Sequence, residues 1–412
     1  MLNKTDVFSI FNRVLALFSG LALVIINIHF VAVDGQGAIA IVNFGILVIS
    51  TTSQFVGGGA LIYLSKKYST QQFHKPAFVW AMLSSALILL CGYVLEIPEI
   101  PFIALLGFLQ SLVVYFQMIH LAKARIMAYQ WMLFTQSFLT PVGVLFFYSF
   151  LHASILSFCL GLTFSLTFTL LFACIQHLNR KKKQELNSNK SFNTLIEDLL
   201  KFGGYNQLSN LSHLGNQRIY IYLLESLLHQ GYLFSGIFAI FLYLAEAIWT
   251  VGKSLSSVLT SLVAQSNDKV VQLNIFKKYI KLSFIGTLVL IVIAYLFPKQ
   301  FLEPYFKQTT SEIQLSLLLM SPAILVHSIT TPISHFFSGI GLLKYNFHCA
   351  LAGFTSGLLS ALYLIQHYEL NGAFIAISIG FTTQCALHVY YFLKWKSNLN
   401  RKDFEPLQVS PK

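Results

Sequence analysis

The 412-residue chain is apolar and basic: 56% of its residues are hydrophobic, 10% are charged, and its formal net charge is +12. Soluble domains carry about 25% charged residues, so this composition excludes a water-soluble enzyme. No nucleic-acid partner is expected either, because that function needs a basic face on a soluble domain. In hydrocarbon every backbone N–H and C=O must be paired within the protein, which leaves helices or closed barrels. Barrel strands alternate polar and apolar residues, and the apolar stretches here do not. The sequence therefore predicts an all-α membrane protein.

Twelve apolar stretches of about 20 residues are long enough to cross a bilayer as helices. The first six lie near Phe8–Val33, Ala38–Leu64, Ala77–Leu95, Phe102–His120, Met127–Phe150 and Ser154–Gln176. The second six lie near Tyr205–Leu228, Tyr232–Val263, Tyr279–Phe297, Ile313–Ile340, Tyr345–Ile365 and Ala373–Leu393. We therefore predict a polytopic protein whose helices form two lobes of six around a central cavity, an arrangement that transporters use.

The longest polar break lies between spans 6 and 7. It contains the basic run Arg180-Lys181-Lys182-Lys183, for which we expect contact with anionic lipid headgroups rather than a specific partner site. The predicted domains are an N-terminal lobe (1–176), a basic cytoplasmic linker (177–203), a C-terminal lobe (204–393) and a cytoplasmic tail (394–412). Each lobe begins with a long hairpin whose outer turn contains Gln-Gly, at Gln36-Gly37 and at Gln230-Gly231.

The positions of lysine and arginine predict the orientation, because loops rich in these residues stay on the cytoplasmic side during insertion. Of the 27 Lys and Arg residues, 22 lie at the termini or in loops on one side of the predicted spans. The opposite loops hold only Lys299 and Lys307. Both termini are therefore predicted to be cytoplasmic.

Five charged residues lie within spans 1, 7 and 8: Arg13, Arg218, Glu225, Glu246 and Lys253. An ionised side chain at mid-bilayer costs roughly 2.5 to 3.5 kcal/mol, so it normally faces a partner or a wet cavity. Arg13 and Lys253 are close enough to the cytoplasmic end to snorkel toward lipid phosphates, whereas Arg218 is deeper. Glu246 is in mid-span, where an ion pair with Lys253 or Arg218 and a proton-coupling role both remain open.

Uncharged polar residues lie on two of the same spans. Asn27 falls on a stripe of polar and small residues in span 1, and span 7 carries Asn206, Asn210, His213 and Gln217 on one face. These positions follow the helical period of 3.6 residues. A face of this kind is not expected to contact lipid, so the five side chains are predicted to line the central cavity.

Span 10 carries Pro322 and Pro332, which are predicted to kink it. It also carries His327 and His335, which we interpret as satisfied core histidines rather than titrating groups. The five cysteines all lie in apolar spans and are interpreted as small buried hydrophobes. The sequence contains no phosphate-binding loop, no paired carboxylates in an external loop and no metal-ligand spacing. We therefore predict no catalytic residue, no metal and no cofactor, and a protein that is not an enzyme.

Three segments resemble a known family: the opening Phe11-Asn12-Arg13, the outer turn Asp34-Gly35-Gln36-Gly37, and the run from Lys201-Phe202-Gly203-Gly204-Tyr205 to Arg218. With the twelve spans in two sets of six, they resemble the polysaccharide flippases of the MATE-like multidrug, oligosaccharidyl-lipid and polysaccharide exporter superfamily. The likeness is strongest to the bacterial O-antigen and capsule repeat-unit translocases. It covers nearly the whole chain and is chiefly one of layout.

This resemblance implies a substrate and a mechanism. The substrate is an undecaprenyl-pyrophosphate-linked oligosaccharide, moved by alternating access across the bacterial inner membrane for O-antigen, lipopolysaccharide or capsule synthesis. A polysaccharide polymerase complex is a candidate partner. The family's cationic cavity accepts the pyrophosphate, and the resemblance assigns that role to Arg13, Arg218 and Lys253. Glu246 is the first candidate for ion coupling. Span 2 lacks the cation that some relatives carry there, so lipid II is a less expected substrate.

Two other functions compete with this one. A drug or metabolite antiporter of the same superfamily is expected to have acidic cavity residues, whereas the predicted cavity is net basic. A membrane polysaccharide polymerase or ligase is expected to have a large external loop with catalytic Arg or His. Here the largest external break, Pro298–Glu312, is short.

Overall fold

The computed structural model describes residues 4–57, 61, 64–65, 67–94, 96–97, 99–123, 125–178, 192–266, 268–296 and 310–398. These residues form ten helices and no strands. The helices are α1 (Lys4–Gly57), α2 (Thr70–Val94), α3 (Ile100–Ala122), α4 (Ile126–Phe150), α5 (Ile155–Leu178), α6 (Phe192–Leu227), α7 (Gly231–Gln265), α8 (Lys269–Leu296), α9 (Thr310–Gly339) and α10 (Leu343–Asn398).

The first and last helices each contain a sharp break. Ala32 in α1 has φ 59° and ψ −175°, and Glu369 in α10 has φ 49° and ψ −126°. Across the first break Asn27 Nδ2 donates to Gln36 Oε1 at 2.9 Å, so the two arms of α1 fold back on each other. With both arms counted, the ten helices contain twelve segments, one for each predicted span.

Nine helices of the described part of the chain are long and apolar enough to cross a membrane. The broken helices α1 and α10 are counted once each among the nine, and α6 is not among them. Counting both arms of each broken helix and adding α6 accounts for the twelve spans. The prediction of an all-α, multi-pass membrane protein is therefore confirmed.

The N-terminal lobe (α1–α5) and the C-terminal lobe (α6–α10) each have their own hydrophobic core. Leu106 and Phe158 are fully buried in the first core, and Phe238 and Phe374 in the second. Burial of large apolar side chains stabilises each lobe by roughly 1.5 to 3 kcal/mol per side chain. Each of these two clusters lies mainly within one lobe, although Ala40 and Ile41 of α1 are buried in the second.

Two glycines join the lobes where the second arm of α1 crosses α7. A Cβ atom added at Gly37 would overlap the backbone oxygen of Tyr232, and one added at Gly236 would overlap that of Val33. The crossing lies beside the break at Ala32 and the α6–α7 connection, at the end of the bundle that we call the outer end because the sequence predicts it to face outward. Only residues without a side chain allow the backbones to approach so closely.

The start of α6 packs against the N-terminal lobe. Leu195 and Leu199 are buried in a cluster with Tyr68 of the α1–α2 connection. Asp198 accepts hydrogen bonds from Lys67 Nζ at 2.5 Å and from Tyr68 Oη at 2.7 Å. The bond to Asp198 raises the pKa of Lys67 above its usual value.

The predicted linker and turn differ from the structure in two respects. Helix α6 begins at Phe192, inside the predicted linker, because its first turns have an apolar face that the N-terminal lobe covers. The predicted turn at Asp34–Gly37 is helical, since the chain bends at Ala32 instead. The basic run 180–183 lies outside the described residues.

The cysteines are all free thiols. Cys159 and Cys349 are buried, as predicted, but Cys91 is exposed. The interpretation of all five cysteines as buried residues is therefore wrong for Cys91, which lies on a face of α2 that is rich in exposed leucines.

The α1–α7 crossing gives the first prediction. Gly37→Ala and Gly236→Ala should each lower the free energy of unfolding by about 1 to 3 kcal/mol, because the added methyl groups force the backbones apart. Thermal unfolding in detergent measures this effect. Gly20→Ala and Gly204→Ala are matched controls, since a Cβ atom at either position meets nothing within 4 Å. Equal melting temperatures for all four variants would contradict the proposed tight crossing.

Candidate functional site

An ion pair lies between the first two helices of the C-terminal lobe. Arg218 of α6 donates from Nη2 to Glu246 Oε1 of α7 at 2.5 Å. The Arg218 side chain is 7% exposed and that of Glu246 is 25% exposed. Of the two partners that the sequence leaves open for Glu246, the structure selects Arg218 for direct contact.

Tyr243 connects this ion pair to the N-terminal lobe. The Arg218 Cζ atom is 5.7 Å from the centre of the Tyr243 ring, and Tyr243 is within hydrogen-bonding range of both Arg218 and Asn43. Asn43 belongs to the second arm of α1. The side of α7 that carries Tyr243 and Glu246 therefore faces the other lobe.

Lys253 lies about two turns beyond Glu246 on nearly the same face of α7. Its side chain is exposed, and its Nζ atom is 5.9 Å from the centre of the Trp249 ring. It interacts electrostatically with Glu246 and Arg218. Glu246 attracts Lys253 and Arg218 repels it, and among the described residues Lys253 forms no ion pair of its own. We call the region between the lobes that contains Arg218, Glu246 and Lys253 the inter-lobe site.

The structure brings some of the predicted cavity residues to this site and places others elsewhere. Gln217 immediately precedes Arg218 on α6 and His213 lies a little over one turn before it, and the Nε2 atoms of His213 and Gln217 are 3.1 Å apart. Asn210 is exposed and bonds to Gln207 of its own helix. Asn206 is half-buried in the same helix.

Asn27 is buried inside the N-terminal lobe, where it contacts Gln36 and accepts a hydrogen bond from Tyr148 Oη at 3.2 Å. Its amide thus serves packing within that lobe. Arg13 lies in the first arm of α1, but its side chain is outside the described part of the structure, so its predicted role stays a prediction.

Three residues of the site have no marker in the sequence. Tyr243 and Asn43 join the ion pair to α1, and Trp249 lies against Lys253. The chain contains 19 tyrosines and four tryptophans, so residue type alone does not distinguish these. The position of Trp249, four residues before Lys253, is the one signal that a helical wheel offers.

The arrangement favours an anionic ligand. A neutral Arg–Glu pair next to an exposed lysine leaves one net positive charge in a region partly shielded from water, where electrostatic attraction is stronger than in bulk solvent. The fork of a guanidinium matches phosphate oxygens as well as carboxylate oxygens. A phosphate bound beside Lys253 can therefore also engage Arg218 in competition with Glu246.

Sequence comparisons identify no relative: no protein-family model matches the chain, and no curated protein matches it. Solved structures match over nearly the whole chain. One is an inward-facing multidrug resistance MATE family transporter of the MOP superfamily, with a TM-score of 0.73, 15% identity, and coverage of 94% of this chain and 96% of that chain. Another is the lipid II flippase MurJ in an inward closed conformation, with a TM-score of 0.67, 12% identity, and coverage of 94% and 87%.

A third solved structure is an outward-facing multidrug resistance MATE family transporter of the MOP superfamily, with a TM-score of 0.64, 14% identity, and coverage of 95% of this chain and 96% of that chain. At these identities the likenesses show the fold, and they confirm at that level the resemblance to the MATE-like exporter superfamily.

The ion pair gives the second prediction. Glu246→Gln should destabilise the protein by about 3 kcal/mol, because it leaves the Arg218 guanidinium buried without its carboxylate. Arg218→Gln should cost less, since Glu246 keeps some contact with solvent. The double variant should be more stable than the sum of the two single effects predicts.

A double-mutant cycle from chemical unfolding in detergent measures this coupling. Lys67→Gln is the control, because it removes the exposed partner of the Lys67–Asp198 pair, where solvent screening leaves little to lose. Strict additivity of Arg218→Gln and Glu246→Gln would contradict a direct ion pair.

Proposed function

We propose that this protein is a flippase for polyprenyl-pyrophosphate-linked oligosaccharides. It moves the repeat unit from the inner to the outer leaflet of the bacterial inner membrane by alternating access between its lobes. Both termini are cytoplasmic in this proposal, and the lobes at 1–176 and 204–393 are the moving units. A polysaccharide polymerase complex receives the product.

The observation that supports this function most directly is Lys253 at the inter-lobe site, a cation that forms no ion pair among the described residues. A pyrophosphate carries negative charge on oxygens that accept hydrogen bonds, and lysine binds such a group as a point charge. Arg218 supplies a second cation. Its hydrogen bond to Glu246 keeps the guanidinium in position until a phosphate binds. The saccharide and the lipid tail then occupy the cleft and the bilayer.

The fold supports the same proposal in a more general way. Chains of this shape include a lipid II flippase as well as multidrug transporters, so the scaffold accommodates both lipid-linked and soluble substrates. Fold alone does not select between them. The positive charge of Lys253 at the inter-lobe site supports the lipid-linked anion over a cationic drug.

A cation antiporter is the second candidate, and one observation favours it. Glu246 is 25% exposed and lies about one turn from Trp249, so a carboxylate and an aromatic ring are both near the cleft. Cationic drugs bind to such pairs through charge and cation–π contacts. This carboxylate already accepts a hydrogen bond from Arg218, so it is less available to a cationic drug. The cation antiporter is therefore the second candidate.

Binding discriminates the two candidates. Native mass spectrometry of the detergent-solubilised protein should show a complex with undecaprenyl pyrophosphate and little with the cationic dye ethidium. Lys253→Gln should weaken lipid binding by about tenfold, equivalent to roughly 1.4 kcal/mol, and Lys253→Arg should retain it. Lys278→Gln is the matched control, because it removes an exposed lysine of α8 away from the site.

Two results together would favour the antiporter over the flippase. The wild type would bind ethidium and Glu246→Gln would not, and the wild type and Lys253→Gln would bind the lipid equally. Lys253 is suited to this test because its side chain is exposed, so its replacement leaves the cores of both lobes intact.

Transport gives the fourth prediction. In a strain that lacks its own copy of this gene, the wild type and Lys278→Gln should restore surface polysaccharide. Lys253→Glu should leave lipid-linked repeat units in the inner leaflet, because it replaces the free cation by an anion. Gels of extracted glycolipid measure both pools. Full restoration by Lys253→Glu would contradict a role for this cation.

A further inference from the structure

Four rings from four helices meet directly behind the inter-lobe site. His213 of α6 stacks on His327 of α9 with ring centres 5.2 Å apart. Trp249 of α7 lies 4.4 Å from His327, and Phe381 of α10 lies 5.1 Å from it. We call these four residues the ring cluster. Trp249 also contacts Lys253, so the ring cluster shares one side chain with the environment of the free cation.

The cluster contains polar atoms that have no hydrogen-bond partner within the described protein although they are buried. They are Nδ1 of His213, Nδ1 of His327, Nε1 of Trp249 and Oε1 of the neighbouring Gln384. A buried polar atom without a partner costs about 1 to 3 kcal/mol. Gln384 interacts with His213, so the atoms in greatest need of a partner are Nδ1 of His327 and Nε1 of Trp249, and these two point to a ligand that they bind.

The hydrogen bonds at the other ring nitrogens assign the tautomers. Thr331 Oγ1 donates to the backbone oxygen of His327 at 2.9 Å, so it accepts from His327 Nε2 at 3.1 Å. The lone pair of His327 is therefore on Nδ1. With the amide of Gln217 oriented as in the structure, its Nε2 donates to Nε2 of His213 at 3.1 Å. His213 thus has its proton on Nδ1.

The His213–His327 pair can act as a base, because the surrounding side chains can stabilise its protonated form. A proton on His327 Nδ1 makes an imidazolium whose ring faces Trp249 and Phe381, and aromatic faces stabilise a cation at these distances. The neighbouring Gln384 offers a carbonyl oxygen as an acceptor. No group of three or more His, Cys, Asp or Glu residues in the described part of the chain is arranged to hold a metal ion, so a proton fits this cluster better than a metal.

The charged and titratable groups that interact with His327 within the described residues are His213 of α6, Lys253 of α7, His335 of α9 and His388 of α10. Helix α8 contributes the hydroxyl of Ser283, which donates to the backbone oxygen of Ser328. None of these groups is a carboxylate. Burial and the charge of Lys253 both oppose a positive charge on His327, so an anion that neutralises Lys253 removes one of the contributions that oppose protonation.

We propose that the His213–His327 pair binds one proton, and that an anion bound beside Lys253 promotes this binding. The second half of the proposal rests on the proposed function, whereas the first half does not. By linkage, the proton must strengthen anion binding by the same factor. Pro322 and Pro332 lie on either side of His327 in α9. Because each proline removes one backbone hydrogen bond, the helix bends most easily in the region where the proton binds.

Fluorescence of Trp249 tests the proton site, because an imidazolium in contact with an indole quenches its emission and a neutral imidazole quenches it less. The Trp249 signal is the difference between the wild type and Trp249→Phe. This signal should fall on acidification with a single midpoint. His327→Gln should abolish the titration, and His367→Gln should preserve it, since His367 is exposed on α10. His327→Phe keeps the ring contacts if the Gln variant does not fold.

Inorganic pyrophosphate tests the link to the anion. It should move the midpoint upward by about one pH unit in the wild type, a tenfold coupling, and should not move it in Lys253→Gln. A titration that persists in both His327 variants, or that is absent from the wild type, overturns the proton site. A His327-dependent midpoint that pyrophosphate does not move overturns the coupling and counts against the proposed function, while the proton site stands.

Discussion

The close crossing of α1 and α7 is the constraint on which the inter-lobe site depends. Because Gly37 and Gly236 have no side chains, the two helices approach to backbone contact at the outer end. About two turns further along α7, Tyr243 reaches Asn43 of the other lobe. About three turns beyond that, Lys253 is exposed. The same helix therefore closes the cleft at one end and presents a cation at the other.

The Arg218–Glu246 ion pair is better explained by an exchange of Glu246 for a substrate phosphate on Arg218 than by a contribution to the stability of the fold. A buried ion pair rarely stabilises a fold more than apolar side chains of similar size would, because both charges lose their hydration. Arg218 and Glu246 differ in burial, however: the guanidinium is almost fully covered and the carboxylate is not. If a phosphate takes over the guanidinium, Glu246 can turn toward water. Under the proposed function the pair keeps Arg218 charged and oriented until the substrate arrives.

Sequence patterns predicted the twelve spans, the polar face of α6 and the presence of charge in α6 and α7, because hydropathy and helical period determine these features. They did not predict where α1 bends. Ala32 adopts a backbone conformation that is uncommon for alanine, and the residues with turn propensity, Asp34 to Gly37, continue the helix. The bend folds the second arm over Asn27, which is why that amide bonds to Gln36 inside the lobe. The partner of Glu246 was equally undetermined, since it depends on how α6 is rotated against α7. The ring cluster requires four helices to meet at one point, and no local pattern encodes that.

The membrane potential can drive the proposed cycle in both directions. Each unit charge that crosses a potential of 100 mV exchanges about 2.3 kcal/mol with the field. The empty cleft carries the positive charge of Lys253, which a negative cell interior draws toward the inner side. A cleft loaded with pyrophosphate is net negative and is driven outward. The proton on the His213–His327 pair offsets part of the substrate's negative charge, so it reduces the cost of holding that charge within the bilayer. When the proton leaves together with the substrate, the empty cleft regains the positive charge of Lys253. In this scheme the membrane potential then returns the lobes to their starting arrangement without a bound nucleotide.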